Sequence, residues 1–133
     1  MITAFYAGIL GVLHISLTSY VVFGRWRYSV SLGDGGEEDM RRRIRAHGNF
    51  IEVVPMSLIL LYLAEQHLLE QRAPWVHSLG VMIVLGRLLH TIGITRKRSV
   101  NKLRQAGMTL NLGALTLLSL GLLYGAGERL FGG

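Results

Sequence analysis

The sequence predicts an all-α integral membrane protein, a single domain over residues 1–133 built as an antiparallel four-helix bundle. Three observations carry this. Apolar residues make up 50% of the chain and its mean hydropathy is positive. Four apolar stretches each approach the roughly 20 residues that cross a hydrocarbon core about 30 Å thick. No segment shows the two-residue alternation of a half-buried strand. With no cysteine, the chain offers neither a disulfide, a thiolate metal site nor a cysteine nucleophile, so any thiol chemistry has to come from a ligand.

The first stretch, residues 2–24, carries no acidic or basic charge. No basic n-region precedes it and no small-residue cleavage site follows, so a cleaved signal peptide is not expected. The second begins near Met40, runs to about Glu65 and is apolar after Glu52. Pro55 inside it should bend the helix or free a carbonyl, a defect that membrane helices tolerate where neighbours or water satisfy the backbone. The third opens at Pro74, a residue suited to the first position of a helix, and runs to about Ile94, interrupted only by Arg87. The fourth runs from about Leu103 to Gly127 with no charge after Arg104. Its Gly107, Gly113, Ala114, Ser119 and Gly121 would let neighbouring helices approach closely, since packing rather than hydrophobicity joins helices in lipid. Trp26 and Trp75 fall at the expected membrane–water boundaries.

Charge sets the orientation. Arg25, Arg27, Arg41, Arg42 and Arg43 flank the first connection, and Arg96, Lys97, Arg98 and Lys102 flank the third. The second connection, residues 66–73, carries Arg72 against Glu65 and Glu70. The excess of Lys and Arg marks the first and third connections as cytoplasmic and puts both termini outside. This pattern accounts for the net charge of +6. No basic patch interleaves with aromatic residues, so a nucleic-acid partner is not expected. Gly33-Asp34-Gly35-Gly36 reads as a flexible turn, and Glu37, Glu38 and Asp39 as an acidic helix start that suits the helix dipole.

Arg45, Asn49 and Glu52 are spaced i, i+4, i+7 and share one helix face. An ionisable residue at a membrane-helix centre costs about 2.5 to 3.5 kcal/mol on insertion scales, so such residues face a bundle interior or a wet cavity. The up-and-down topology brings these three together with His47, Arg87, His90 and Arg104 in the cytoplasmic half. Several cations around one carboxylate define a cavity of positive potential, suited to a ligand bearing carboxylates or a thiolate. Structural roles stand beside this reading. Glu52 can pair with Arg87 or Arg45 inside the bundle, Arg45 and Arg104 can snorkel to headgroups, and His47, off the stripe, can make a structural or headgroup contact. Asn111 is placed for an interhelical hydrogen bond. His14, His67 and His77 stand apart from one another and from carboxylates at ligand spacing, so no metal site is expected.

The run Arg45-Ala46-His47-Gly48-Asn49-Phe50-Ile51-Glu52-Val53-Val54-Pro55 resembles the second-helix signature of the MAPEG superfamily, the membrane-associated proteins in eicosanoid and glutathione metabolism. That signature is Arg-x-x-x-Asn-x-x-Glu followed by Pro. Gly33-Asp34-Gly35-Gly36, Gly86-Arg87-Leu88-Leu89-His90 and Leu103-Arg104-Gln105-Ala106-Gly107-Met108 resemble its bacterial branch, so the similarity covers essentially the whole chain.

The resemblance implies a homotrimer in a bacterial inner membrane, with glutathione as co-substrate in a cytoplasm-facing cleft between subunits; in that membrane the charge-derived orientation makes both termini periplasmic. The resemblance puts Arg45 and Asn49 on the tripeptide's polar and carboxylate groups and Glu52 on its α-amino group. Arg25 falls where some members hold another carboxylate. Arg104 falls near the Arg that stabilises the thiolate, given a shift in the third connection. His47, Arg87 and His90 complete the expected ligand-binding set. Many enzymatic members carry Tyr where Val53 and Ile94 stand here, and the prostaglandin-forming branch has Arg in place of Gly48. The implied activity is a transferase or peroxidase acting on lipophilic electrophiles or lipid hydroperoxides that arrive from the bilayer. The alternative is a non-catalytic protein of the same fold that binds membrane lipid or a partner in the same groove.

Overall fold

The structure, a computed structural model, describes residues 1–67, 69–96 and 102–131. Those residues form four helices and no strand: α1 (Ile2–Tyr28), α2 (Glu38–His67), α3 (Leu69–Thr95) and α4 (Lys102–Phe131). All four are long and apolar enough to cross a membrane, α3 through its Pro74–Thr95 portion. α1 packs on α2 and α3, α4 packs on α3 and α2, and α1 and α4 do not meet. One end of the bundle holds the α1–α2 turn; the other holds the start of α1 and the end of α4.

Leu10, Leu61, Ile83 and Leu118, one from each helix, are at most 1% exposed and form the centre of the core. Outside it, Phe5, Val12, Met56, Ile59, Leu85, Ile92, Leu120 and Leu123 turn outward, so every helix presents apolar surface away from the bundle. Such a surface suits lipid or neighbouring subunits and not water.

α1 stops at Ser29, which takes the left-handed conformation (φ 54°, ψ 40°) while Val30 N–H returns to the Arg25 carbonyl at 3.0 Å. This closes the helix with the paired backbone bonds typical of a left-handed cap. The turn that follows uses positive φ at Gly33, Gly35 and Gly36; at Gly35 a Cβ would also run into the Val30 side chain. Asp34 ties the turn together. Its carboxylate accepts from Gly36 N–H at 3.0 Å and from Arg41 Nε at 2.7 Å, and these bonds, the Arg41 one foremost, hold the carboxyl below its ordinary range. Beyond the turn Glu38 pairs with Arg42 and Asp39 with Arg43 one helical turn on. Arg43 also donates to the Tyr20 carbonyl at 2.8 Å and lies over the Tyr20 ring, bolting α2 to α1. Gly24 makes room for it, since a Cβ there would meet Arg43 Cδ at 2.6 Å.

At the opposite end the buried Glu65 accepts from the backbone N–H groups of Ile2 and Thr3, each at 2.7 Å, and lies 3.2 Å from the N-terminal amine. A carboxylate at a helix N-terminus satisfies donors that have no partner within the helix and opposes the positive end of its dipole.

Four boundaries differ from expectation, beginning with α1, which runs past Gly24 to Tyr28. The second connection, expected over residues 66–73, is largely helix: Gln66 and His67 finish α2 and Leu69 already opens α3, leaving Pro74 inside a helix. As the sixth residue of α3, Pro74 withholds the donor that would reach the Glu70 carbonyl and its ring crowds that carbonyl, a cost confined to the first two turns of the helix. α4 runs four residues beyond Gly127 to Phe131. α2 passes through Pro55 unbroken, and Ser57 Oγ donates to the nearby Val53 carbonyl at 2.9 Å. Lys97 and Arg98, and the side chains of Glu70 and Arg72, lie outside what is described.

Candidate functional site

Near the turn end, α2, α3 and α4 enclose a groove of about 710 Å³. Arg45, Asn49 and Glu52 line it from α2, His90 and Ile94 from α3, and Arg104 and Met108 from α4. Its mouth carries Glu38, Arg41, Arg42 and Arg96. The i, i+4, i+7 stripe of α2 is therefore one wall of a real concavity, of a size usual for small-molecule sites.

The α3 and α4 walls stand where they do because glycines let the two helices touch. A Cβ on Gly93 would lie 2.5 Å from the backbone nitrogen of Arg104, and one on Gly107 would lie 2.5 Å from the backbone nitrogen of His90. A Cβ on Gly86 would collide with the Asn111 amide. This close seam brings Arg104 alongside His90 on the groove.

Arg87 and His90 lie on one face of α3 yet do different things. His90 reaches the groove, whereas Arg87 turns into the bundle and is only 2% exposed. Arg87 Nε donates to Asn111 Oδ1 at 2.9 Å, and its Nη1 donates to Asn49 Oδ1 at 3.0 Å and to the Asn49 carbonyl at 3.3 Å. Asn111 in turn donates to the Gly107 carbonyl at 2.8 Å. The guanidinium has no carboxylate within 4 Å among the described residues; its Nε and Nη1 donate to amide and carbonyl oxygens. Because Asn49 Oδ1 accepts from a group that can only donate, the amide's N–H₂ is the end left for the groove.

Glu52 makes no ion pair with Arg87 or Arg45 within 4 Å; it is exposed on the groove wall, as are Arg45 and Arg104. The inner wall of the groove thus presents Arg45, Arg104, the Asn49 amide and the Glu52 carboxylate, with the buried Arg87 charge behind them and Glu38 paired to Arg42 at the mouth. That combination favours a ligand with more negative than positive charge and with one amine for Glu52.

Two expected residues stand elsewhere. Arg25 donates to the carbonyls of Ser31 and Gly33, each at 3.2 Å, on the α1–α2 turn. His47, two residues from Arg45, faces α1: its Nε2 lies 3.2 Å from Thr18 Oγ1, and its ring centroid lies 5.2 Å from that of His14. Thr18 already donates to the His14 carbonyl, so His47 is the donor to Thr18. Sequence reasoning passed over Arg41, Arg42 and Arg96 as groove residues because their charge was absorbed by the topology signal. It took Gly86 only as part of the resemblance and passed over Gly93, although each lies one helical turn from His90. No group of three or more His, Asp or Glu side chains at metal-binding distance occurs among the described residues.

Four membrane-length helices carrying a cation-lined groove toward one end define an integral membrane protein. The chain belongs to the MAPEG family, whose model matches residues 3–124. It is 33% identical over 125 residues to the inner membrane protein YecN of Escherichia coli strain K12, across 93% of this chain and 92% of the relative. The same identity and coverage relate it to the inner membrane protein YecN of Escherichia coli O6:H1 strain CFT073.

Proposed function

We propose that the protein binds glutathione in this groove and uses its thiolate as a transferase or peroxidase toward lipophilic electrophiles or lipid hydroperoxides. The observation that carries the reading is that Arg45, Asn49, Glu52, His90 and Arg104, scattered over three helices, line one groove. Glutathione carries two carboxylates, one amine and one thiol. Arg45 and the Asn49 N–H₂ take carboxylate and amide oxygens, Glu52 takes the α-ammonium, and Arg104 faces the sulfur. A free thiol titrates near pH 8.5, and a fixed guanidinium that cannot lose its own proton raises the thiolate fraction at neutral pH. In transfer, the sulfur forms a bond to the electrophilic carbon, whose leaving group or new anion takes up the displaced proton. In hydroperoxide reduction, two glutathiones are oxidised to the disulfide while the hydroperoxide yields an alcohol and water.

The protein sits in a bacterial inner membrane as a homotrimer, basic turn end cytoplasmic and both termini periplasmic. The groove of one protomer is closed by the α1–α2 face of the next, and Arg25 and His47, which stand away from their own groove, reach the neighbour's ligand. Lipophilic substrate enters between protomers from the bilayer.

Titration calorimetry of the detergent-solubilised protein with glutathione tests the binding: saturable heat is expected, weakened at least tenfold by Arg45→Ala or Glu52→Gln. Absence of saturable heat from the unaltered protein would remove the reading. An ultraviolet thiolate band lost in Arg104→Ala tests the activation. Val53 and Ile94, standing where many enzymatic members have Tyr, favour a second reading in which the groove binds a lipid or partner without turnover. Saturable glutathione binding with a thiolate band rules that second reading out.

A further inference from the structure

At the other end of the bundle, far from the cation groove, α2 and α4 part to leave an apolar slot of about 400 Å³. Its walls are Leu63 of α2 and Leu122, Ala126 and Leu130 of α4, and its rim is Arg129 and His67. Leu122, Ala126, Arg129 and Leu130 follow i, i+4, i+7, i+8, so the slot runs along one face of the last two turns of α4, about 10 Å from Leu122 to Arg129. Apolar depth thus ends in charge at a helix terminus.

The rim is built to donate. Arg129 Nη2 donates to the His67 carbonyl at 2.8 Å, and Arg129 Nη1 lies 3.0 Å from His67 Nδ1. A guanidinium only donates, so Nδ1 accepts and the imidazole proton sits on Nε2. Two of five guanidinium N–H groups are used; three remain, and His67 adds its own N–H. No carboxylate lies within 4 Å of Arg129 among the described residues. Of the described acids nearest in sequence, Glu128 accepts from Tyr124 OH at 2.7 Å and Glu65 is buried against the start of α1.

We infer that this slot is a binding site for an anionic phospholipid, one acyl chain lying between Leu63 and Leu122 and the phosphate held by Arg129 and His67. Charge complementarity selects the occupant. Hydrogen-bond donors and a cation without a described counter-charge meet a phosphate, while the quaternary amine of a zwitterionic headgroup finds no acceptor on this rim. The chain's own membrane crossing brings lipid to the spot. The site is separate from the groove and does not depend on what the groove binds.

Native mass spectrometry of the full-length protein in detergent, with phosphatidylglycerol or phosphatidylcholine of the same acyl chains, tests this. Phosphatidylglycerol should be retained about fivefold more strongly, the effect of one interfacial Arg on an anionic lipid. Arg129→Gln should bring its retention down to that of phosphatidylcholine. Ala126→Leu, which fills the slot from an exposed position, should abolish retention of both lipids and leave the thermal midpoint unchanged. Equal retention of the two lipids, or retention indifferent to both substitutions, would overturn the proposal. So would displacement of the lipid by excess glycerol 3-phosphate, which would mark a soluble-anion site. A change in oligomer mass on Ala126→Leu without any bound lipid would assign the slot to a second copy of the chain and likewise overturn it.

Discussion

Arg87 Nη1 donates to Asn49 Oδ1 at 3.0 Å across 38 residues of sequence, joining the inside of the bundle to the wall of the groove. One guanidinium holds α2 through Asn49 and α4 through Asn111, and so sets both how three helices meet and which end of the Asn49 amide is left toward the groove. Fold and site share this joint.

Arg87→Gln should therefore destabilise the protein by about 2 to 3 kcal/mol, since charged hydrogen bonds are lost and buried acceptors on Asn49 and Asn111 are left without a donor. Thermal unfolding in detergent measures it, and an unchanged midpoint would contradict the role given to Arg87.

Asn49→Asp separates the two functions of that position. Both of its oxygens accept, so the bond from Arg87 persists and the fold survives, while the N–H₂ donor to the groove is gone. Glutathione titration should weaken by at least tenfold with the unfolding midpoint preserved. Equal loss of both would make Asn49 a structural residue only.

Gly107→Ala and Gly93→Ala test the α3–α4 seam. Each adds a methyl where backbone atoms already lie 2.5 Å from its position, an overpacking that costs about 1 to 3 kcal/mol. Gly93→Ala should in addition shift Arg104 and diminish the ultraviolet thiolate band. Gly48→Ala, at a helix-interior glycine with nothing within 4 Å, is the control and should cause no loss of stability, gaining instead the roughly 0.5 to 1 kcal/mol by which Ala exceeds Gly inside a helix.

Glu65→Gln removes the carboxylate that caps α1 and pairs with the N-terminal amine. The loss should be on the order of 1 kcal/mol, read as faster amide exchange at Thr3 and its neighbours while α4 stays protected. Uniform exchange along the chain would refute a local cap.

The α1–α2 turn should depend on pH through Asp34. Its carboxyl is held below the ordinary value of 3.8 by Arg41 first and by Gly36 N–H second. A group depressed in the folded state contributes order above its unfolded value, and that contribution disappears as pH falls through the lower, folded one. Protection of the Gly36 amide should accordingly persist at neutral pH and vanish in acid, and Asp34→Asn should remove its pH dependence.

Much of the molecule was legible without coordinates. Four spans followed from run lengths of apolar residues, and the Arg45, Asn49, Glu52 wall followed from helical spacing, because both are properties of a local stretch of chain. Pro74 misled at the start of α3 because the rule for proline names the turns it tolerates without saying which one it occupies. His47 and Arg25 drew attention as polar residues in the right half of the membrane, yet their own protomer turns them toward α1 and the turn.

Local periodicity and charge, then, determined an all-helical membrane protein with a polar stripe near one end, since hydropathy and spacing act within a single helix. Which charges meet was decided only by the tertiary structure. Arg87 and His90 are three residues apart with equal claims on the groove, and what parts them is how closely α4 approaches α3. That approach rests on the side chains missing at Gly86, Gly93 and Gly107, and the distance between two helices is a property of the pair that neither segment carries alone.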